Sequence, residues 1–273
     1  MFGIIKDIIA GVFHQIRLSR YKESLRRKAI KANEIYNIEE KGYVLSLTQN
    51  KAKFYLPYFN SELIQQHIIS NGTYFEKKAL DYIFHEVLNG DVGRYIRNKT
   101  VLDIGANIGN HTLYFALECG AGKVYSFEPM DKVYSILEKN VEINSLQNIV
   151  ELHHVGVGSR TAKAKMRHFE KTNMGATIID YNESGDIPMV AVDELKIQGD
   201  IAFVKVDVEG FEMEVFNGMN KTIEQHKPFI MAEICDENFD KIKSSLSGFG
   251  YWYIRLGKGI NYLFVPPLSL KLI

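Results

Sequence analysis

From residue 99 onward, short apolar runs alternate with longer amphipathic stretches, and this alternation limits the fold more than any other feature. The strand-like runs are TVLDIG, KVYSFE, VELHHV, IAFVKVDV and FIMAEIC. The helix-like runs are GNHTLYFALECG, DKVYSILEKNVEINS, EMEVFNGMNKTIEQH and ENFDKIKSSLSGFG. Strands that are apolar along their whole length and separated by helices form parallel sheets covered on both faces. The sequence therefore predicts an α/β fold.

The alternation is interrupted at two places. Between VELHHV and IAFVKVDV, residues 162–195 contain extra runs that look like an inserted strand pair with a loop. The chain then closes with YWYIRLG and NYLFVPP on either side of a KGI turn, which predicts an antiparallel hairpin. Residues 96–273 are therefore expected to form one α/β domain whose mostly parallel sheet carries a C-terminal antiparallel hairpin.

Residues 1–95 are expected to form a separate region made of an amphipathic helix, a small hairpin and cap helices. In the first 30 residues, apolar side chains at helical spacing precede a run of arginines and lysines, the reverse of the order in a signal peptide. This helix would either lie on an anionic membrane surface, or pack on the protein body or on a second copy of the chain in a homo-oligomer. Residues 42–59 predict the hairpin, and Asn71-Gly72 predicts a break between two helices.

Composition argues against several classes of protein. The formal net charge is zero, so nothing favours nucleic acid as a partner. Cys119 and Cys235 are far apart and lack metal-ligand spacing, so we expect neither a zinc site nor a disulfide framework. No apolar run reaches the roughly 20 residues that a membrane-spanning helix requires. We expect a cytoplasmic protein, with peripheral membrane contact as the alternative.

The stretch VLDIGANIGNHTLYFA, residues 101–116, predicts a buried strand, a glycine-containing turn and a helix, the place where open α/β sheets bind ligands. A turn that binds pyrophosphate reads G-x-G-x-x-G, whereas this one reads D-I-G-A-N-I-G. Asp103 is expected beside the ligand, where it would repel phosphate but attract a cation by about 4 kcal/mol at an effective dielectric constant of about 20. S-adenosylmethionine, with a sulfonium and an ammonium group, fits this requirement.

The next strand ends predict a site for adenosine. Glu128 ends the second strand, where an acidic residue accepts hydrogen bonds from ribose hydroxyls, a feature that NAD-binding proteins share. Pro129 and Met130 are expected to line the adenine face. His154 and Val155, at the end of the third strand, are expected at the adenine edge.

Four segments together resemble the FkbM family of S-adenosylmethionine-dependent methyltransferases: VLDIGANIGNHTLYFA, VYSFEPMDKVYSILEKNVEINSLQNI, VAVDEL and FVKVDVEGFEMEVFNGM. The resemblance covers roughly residues 70–235. It implies a Rossmann-like class I methyltransferase sheet of seven strands, with S-adenosylhomocysteine as the product. It also implies methyl transfer to a hydroxyl of a sugar, a glycan or a related natural product. Matched residue by residue, it implies these cofactor-binding positions: Asp103, Gly105, Asn107, Gly109 and Glu128. Ala106, in the same turn, is also expected to contact the cofactor.

Methyl transfer to a hydroxyl requires that the acceptor be aligned and that its proton be taken up. The fourth and fifth strands deliver Asp207, Glu209 and Glu233 to the expected cofactor edge, and these are the catalytic candidates. Asp207 and Glu233 would form a general base with its partner or hold a magnesium ion, and the metal-free arrangement is favoured. Glu209 would alternatively support the backbone at Gly210.

Glu76, in TYFEKKAL, has two interpretations. It would form a capping box with Thr73, or lie near the ammonium group of the cofactor. His111, in the first turn of the helix after the glycine turn, is interpreted as a packed or solvated side chain.

Three functions compete at this stage. An S-adenosylmethionine-dependent O-methyltransferase is favoured. The alternatives are a catalytically silent scaffold in polysaccharide assembly and an NAD-linked oxidoreductase, which the missing G-x-G-x-x-G disfavours.

Overall fold

The computed structural model describes residues 34–39, 42–47, 52–168 and 178–267. The chain divides into two compact units, Met1–Phe75 and Glu76–Ile273. The amphipathic helix predicted for residues 1–30 lies outside the described residues, so its membrane and packing hypotheses stay predictions. None of the helices in the described ranges combines the length and the apolar character needed to span a bilayer.

The first unit contains a three-stranded antiparallel sheet. Strand β1 (Glu34–Glu39) pairs with β2 (Gly42–Ser46), and β2 pairs with β3 (Lys53–Tyr55). The hairpin predicted within residues 42–59 is therefore formed by β2 and β3. Phe54 of β3 is fully buried and packs edge-to-face on Tyr74, with ring centroids 5.6 Å apart.

Helix α1 (Leu63–Asn71) has a defined start and a defined end. The Glu62 carboxylate accepts hydrogen bonds from two N–H groups of the first turn, which have no partner inside a helix. Gly72 follows the last turn with φ of 61°, in the left-handed region that glycine adopts without strain. The predicted break at Asn71-Gly72 is confirmed.

The capping box predicted for Thr73 and Glu76 is wrong. Helix α2 (Lys77–Asp81) begins one residue after Glu76, and Glu76 itself has a left-handed backbone with φ of 57°. No side chain caps this helix end. The helix starts too late for Thr73 to precede it directly, so the two side chains do not form a capping box.

The segment from α2 to α3 (Asp91–Ile96) packs on the sheet of the second unit. A π-helical turn and a 3₁₀ turn connect the two helices. Phe84, in the π-helical turn, is buried against Phe115 and Phe203, with ring centroids 6.0 and 5.0 Å away. These contacts explain why the division falls after Phe75, whereas the sequence suggested a boundary after residue 95.

The remaining elements of the second unit alternate in the way that the sequence predicts, with one inserted group of strands. The helices are α4 (Asn110–Leu117), α5 (Asp131–Ile143), α6 (Glu212–Asn217), α7 (Asn220–His226) and α8 (Asp236–Gly248). The strands are β4 (Thr100–Ile104), β5 (Lys123–Phe127), β6 (Val150–His153), β7 (Gly156–Val157), β8 (Ala162–His168), β9 (Ile178–Tyr181), β10 (Ile187–Val190), β11 (Ile201–Val206), β12 (Phe229–Glu233), β13 (Trp252–Arg255) and β14 (Asn261–Val265).

Seven of these strands form one mixed sheet in the order β13-β14-β12-β11-β4-β5-β6. Strands β4, β5, β6, β11 and β12 pair in parallel, and β14 runs antiparallel to both β12 and β13. Every residue of the central strands β4 and β11 is buried, as expected for strands covered on both faces. The predicted α/β fold with a mostly parallel sheet is confirmed.

The insertion is larger than the strand pair that the sequence suggested. It is a four-stranded sheet in the order β7-β10-β8-β9. Two residues of β7 continue the chain from β6 and pair in parallel with β10, a contact between distant segments that local patterning does not reveal. Ala164, Ile179, Ile187 and Met189 form its own small core, against which Met130 and Phe211 pack.

The run predicted as one helix over residues 212–226 forms α6 and α7, with Gly218 and Met219 between them. A β-carbon at Gly218 would overlap the backbone carbonyl of Gly158, so this glycine allows the chain to approach closely. The Asp193 carboxylate accepts hydrogen bonds from the N–H groups of Lys221 and Thr222 at the start of α7. Asp193 therefore caps α7 from a distant part of the chain.

Candidate active site

The carboxyl ends of β4, β5, β11 and β12 lie at one edge of the sheet. Ile104 is in register with Phe127 and with Val206, and Val206 with Ala232. The loops that follow β4, β5 and β11 line one cavity, as expected for an open α/β sheet, and Glu233 ends β12 at the same edge. Its lining comes from these loops, from the start of β7 and from the inserted sheet, and includes Gly105, Glu128, Pro129, Met130, Val155, Ile179, Asp207 and Phe211.

The loop after β4 is held close to β5 and β11. The N–H groups of Gly105 and Ala106 both donate to the carbonyl oxygen of Phe127, at 3.0 and 2.9 Å. Gly105 has φ of 76°, and a β-carbon there would overlap the carbonyl oxygen of Asp207. Only glycine permits this approach, which brings the loop next to the residue that follows β11. Asn107 and Gly109 complete the turn with left-handed φ values of 51° and 87°.

Glu128 joins this loop to the next one. Its Oε2 atom accepts a hydrogen bond from the N–H of Asn107 at 3.0 Å, and its Oε1 atom accepts one from the N–H of Met130 at 2.9 Å. Burial raises the pKa of Glu128 to about 7, although these backbone hydrogen bonds and the Lys205 ammonium oppose the rise. The carboxylate is thus fixed at the cavity wall, and each oxygen can accept a further hydrogen bond from a ligand.

Asp103 occupies a different place from the one expected. Its side chain is fully buried and does not line the cavity. Oδ2 accepts a 2.6 Å hydrogen bond from the hydroxyl of Thr112, and Oδ1 lies 3.6 Å from the Lys205 ammonium. The negative charge of Asp103 is therefore balanced inside the protein. Lys205 connects Asp103 to the cavity, because its ammonium group also contacts Asp207 and the Gly105 carbonyl.

Lys205 is a residue of this site that sequence reasoning missed. It lies in β11, is buried, and donates a 2.7 Å hydrogen bond to the carbonyl oxygen of Gly105. Its ammonium group is 3.3 Å from Asp207. Burial lowers the pKa of Lys205, but Asp207 and Asp103 outweigh this effect and raise it. The signal in the sequence was a lysine in the middle of the apolar run IAFVKVDV.

Three carboxylates converge beside the cavity. Oxygen atoms of Asp207, Glu209 and Glu233 all lie within 4.8 Å of one another. Burial, followed by repulsion from Asp207, raises the pKa values of Glu209 and Glu233 to about 7 in each case. The group is therefore suited to accepting a proton near neutral pH, and its oxygen-only donors also suit a divalent cation such as Mg²⁺.

The alternative role of Glu209 is filled by another residue. The N–H of Gly210 donates a 2.6 Å hydrogen bond to Glu212, whose carboxylate also accepts from the Asn238 side chain. Glu212 therefore supports the turn after β11, while Glu209 lies with Asp207 and Glu233.

The Glu76 carboxylate contacts elements from both halves of the sheet. Oε2 lies 3.4 Å from Nε2 of His111, in the first turn of α4. Oε1 accepts a hydrogen bond from the side chain of Asn261, the first residue of β14, at 3.3 Å. Asn261 is in register with Glu233, so Glu76 lies at the same sheet edge as the three converging carboxylates.

Comparison with known proteins identifies the family of this chain. Residues 103–253 match the model of the methyltransferase FkbM domain. The chain belongs to this family. FkbM-family membership supports methyltransferase activity for the chain and confirms the resemblance drawn from its motifs.

Individual relatives of this FkbM-family chain are distant. It is 24% identical over 194 residues to Methyltransferase 1 of Beauveria bassiana, an alignment that covers 60% of this chain and 77% of that protein. It is 28% identical over 135 residues to the hexuronic acid methyltransferase AglP of Haloferax volcanii, covering 48% of this chain and 54% of AglP. Among solved structures, the methyltransferase FkbM from Methylobacillus flagellatus aligns with a TM-score of 0.46 and 16% identity, over 73% of this chain and 60% of that one.

In this FkbM-family chain, the side chains of His154 and Val155, which follow β6, line different surfaces. Val155 lines the cavity. The His154 ring stacks on Tyr134 at 4.3 Å and lies 3.1 Å from Asp131, so it faces a neighbouring groove. His154 therefore differs from the prediction that it would lie at the adenine edge.

The raised pKa of Glu209 leads to a prediction about stability. A carboxyl group whose folded-state pKa is about 7, above its ordinary 4.5, stabilises the fold when protonated, and this contribution is lost as pH rises from about 4.5 through about 7. Glu209→Gln mimics the protonated form. Its melting temperature, minus that of the wild type, is expected to increase from about pH 5 to about pH 8 with EDTA present.

The exposed Glu224 provides the matched control, because Glu224→Gln makes the same chemical change at the protein surface. The result for Glu209→Gln is compared with it, and a difference that stays flat with pH for Glu209→Gln would mean that Glu209 is not held in an environment that favours its neutral form.

Proposed function

We propose that this FkbM-family chain is an S-adenosylmethionine-dependent O-methyltransferase that methylates a hydroxyl group of a sugar, a glycan or a related natural product. The observation that carries the proposal is the cluster of the Asp207, Glu209 and Glu233 carboxylates, of which Asp207 lines the same cavity as Gly105. A site for a nucleoside and a group that accepts protons thus share one edge of the sheet.

The cavity has the chemical features that S-adenosylmethionine requires. The Glu128 carboxylate is placed to accept hydrogen bonds from ribose hydroxyls. Met130, Val155, Ile179 and Phe211 supply apolar surface for an adenine ring. Both cofactor cations, the sulfonium and the ammonium, would find several carboxylates nearby.

The same charges oppose a dinucleotide. Lys205 already contacts Asp103, Asp207 and the Gly105 carbonyl, so its charge is balanced within the protein. A pyrophosphate at this loop would meet Asp207 and Glu128 without a compensating cation from these residues. The wall of the cavity therefore favours a cationic ligand over an anionic one.

S-adenosylmethionine, when bound, supplies an electrophilic methyl group. The protein's part is to align the acceptor hydroxyl and to accept its proton. Glu233, with a pKa of about 7, is deprotonated in part at neutral pH and basic enough to accept this proton. Asp207 lies 3.3 Å from Lys205 and is oriented by it, so Asp207 is assigned to position the acceptor hydroxyl or to share its proton.

A sugar acceptor is supported by one relative. The Haloferax volcanii protein AglP carries the name hexuronic acid methyltransferase, and this chain is 28% identical to it over 135 residues. Sugars present hydroxyl groups, which a carboxylate base can deprotonate as the bond to carbon forms. We therefore place sugars and glycans first among the acceptor classes.

Two measurements test the proposal. Titration calorimetry with S-adenosylmethionine, S-adenosylhomocysteine and NAD should show binding of the first two only. Transfer of labelled methyl from S-adenosylmethionine to members of a panel of sugars and glycolipids should then identify the acceptor. Binding of NAD in place of S-adenosylmethionine would overturn the assignment.

Replacing Glu128 by alanine should weaken S-adenosylmethionine and S-adenosylhomocysteine to the same degree, since both carry the same ribose. Loss of hydrogen bonds to a charged group predicts about 10- to 100-fold weaker binding in calorimetry. Glu138→Ala, an exposed change in α5, is the control and should leave both affinities unchanged. A Glu128 variant that discriminates strongly between the two ligands would show that Glu128 does not hold the ribose.

A further inference from the structure

His111 has the features of a buried binding residue. It is 5% exposed and lies in the first turn of α4, directly after the loop of residues 105–109. Its Nε2 atom makes no hydrogen bond within the part of the chain that the structure describes, although the Glu76 carboxylate is 3.4 Å away. A buried ring nitrogen without a hydrogen bond is unfavourable, and a ligand group that accepts one from it would remove this cost.

Glu76 is held beside His111 at a cost to the backbone. Its φ of 57° lies in the left-handed region, which non-glycine residues rarely adopt and which recurs at ligand sites. The hydrogen bond from Asn261 orients the carboxylate, and 23% of the Glu76 side chain remains exposed. The strained position is thus used to present a carboxylate at the sheet edge.

The position of this pair relative to the cavity identifies what it would meet. The cavity extends from the apolar lining at Met130, past Glu128, to Gly105 and Asp207. Lys205 joins the Gly105 carbonyl to Asp207. The negative charge of Glu76 adds to the rise in the pKa values of Lys205 and Glu233, with a smaller effect than that of Asp207, so Glu76 lies near the same groups. A ligand whose ribose lies at Glu128 would therefore extend its tail past Gly105 towards Glu76 and His111.

We propose that His111 binds the carboxylate of the amino-acid end of S-adenosylmethionine, while Glu76 binds the ammonium group. A carboxylate and an imidazole N–H side by side are complementary to the two charged groups of that tail. The eight-residue helix α4 begins beside His111, and its positive end also favours a carboxylate there. This inference rests on the proposed cofactor and adds a binding residue that the motif comparison did not assign.

Three ligands that carry progressively fewer charged groups separate the two contacts. S-adenosylmethionine has both groups, its decarboxylated analogue keeps the ammonium group only, and 5′-methylthioadenosine has neither. In calorimetry, His111→Phe should weaken S-adenosylmethionine by about 10- to 100-fold and leave the other two ligands unchanged. Glu76→Gln should weaken S-adenosylmethionine and the decarboxylated analogue, but not 5′-methylthioadenosine.

Controls distinguish a loss of ligand binding from a loss of folding. His154→Phe, outside the cavity, should change none of the affinities, and melting curves show whether the His111 variant is folded. The wild type alone should prefer S-adenosylmethionine over the decarboxylated analogue by about 10-fold or more. Equal affinity of the wild type for these two ligands would overturn the inference even if His111→Phe did not fold.

Three other results of these binding and turnover measurements would each lead to a different conclusion. Equal weakening of all three ligands by His111→Phe would mean that His111 supports the loop rather than the tail. A lower turnover with unchanged affinity for S-adenosylmethionine would place His111 at the acceptor instead. A wild-type protein that binds none of the three ligands would refute the proposed cofactor itself, a result separate from the other two.

Discussion

Replacing Asp207 by asparagine or Glu233 by glutamine is expected to lower the rate of methyl transfer by about 10²- to 10⁴-fold, while the affinity for S-adenosylmethionine changes little. Both carboxylates lie in the group whose oxygens are within 4.8 Å of one another, and the amide replacements keep their shape but lose their basicity. Single-turnover rates and calorimetry on the same proteins measure the two quantities separately.

Glu237→Gln is the matched control for this experiment, because Glu237 is an exposed carboxylate a few residues beyond Glu233. It should leave turnover unchanged. Full activity in both amide variants would show that neither carboxylate takes part in the catalytic step and that the site serves cofactor binding alone.

The same proteins distinguish a proton acceptor from a metal site. We expect a metal-free base: activity is then indifferent to EDTA and rises with pH through about 7, as Glu233 loses its proton. The rise in activity with pH should disappear in Glu233→Gln, which lacks the base, and persist in Asp207→Asn. A magnesium site would instead make wild-type activity fall with EDTA and return with Mg²⁺, and both variants would lose this response.

The sheet and its loops could be predicted because their signals are local. Apolar runs of strand length, helical spacing and the glycine turn after Ile104 are each visible within about 15 residues. The carboxylates Asp207 and Glu233 could be placed together because the carboxyl ends of neighbouring parallel strands meet at one edge. Glu209 was included with them from the same loop.

The contacts that could not be predicted depend on register between distant strands. Lys205 is in register with Asp103, and this pairing turns a carboxylate expected at the ligand into the buried partner of a lysine. The four-stranded insertion likewise depends on β7 pairing with β10 across the chain. His154 differs from the prediction because it stacks on Tyr134 of α5, a contact that strand periodicity does not contain.

Glu76 illustrates a local signal that was misleading. Thr73 and Glu76 have the spacing of a capping box, but the helix begins at Lys77. The contacts of Glu76 with His111 and Asn261 join residues that are far apart in the sequence. The capping-box rule therefore failed at a residue with left-handed backbone conformation. Departures from local sequence rules are expected at functional or strained sites.

Replacing Lys205 by methionine is expected to destabilise the fold by roughly 3–5 kcal/mol, the second large effect predicted for this chain. Methionine fills a similar volume, so the loss comes from charge. Asp103 is fully buried, and without the ammonium group its negative charge would have no compensating cation nearby. Urea unfolding near pH 7 measures the change in free energy, and Lys221→Met, at an exposed position, should stay within about 0.5 kcal/mol of the wild type.

The double variant Asp103→Asn/Lys205→Met tests the cause. Asparagine removes the buried charge and can still accept the hydrogen bond from Thr112, so the double variant should recover a large part of the stability lost in Lys205→Met. The hydrogen bond to the Gly105 carbonyl stays broken in both variants, so the affinity for S-adenosylmethionine should not recover in parallel. A double variant as unstable as Lys205→Met would show that Lys205 stabilises the fold through the Gly105 loop and not through the charge of Asp103.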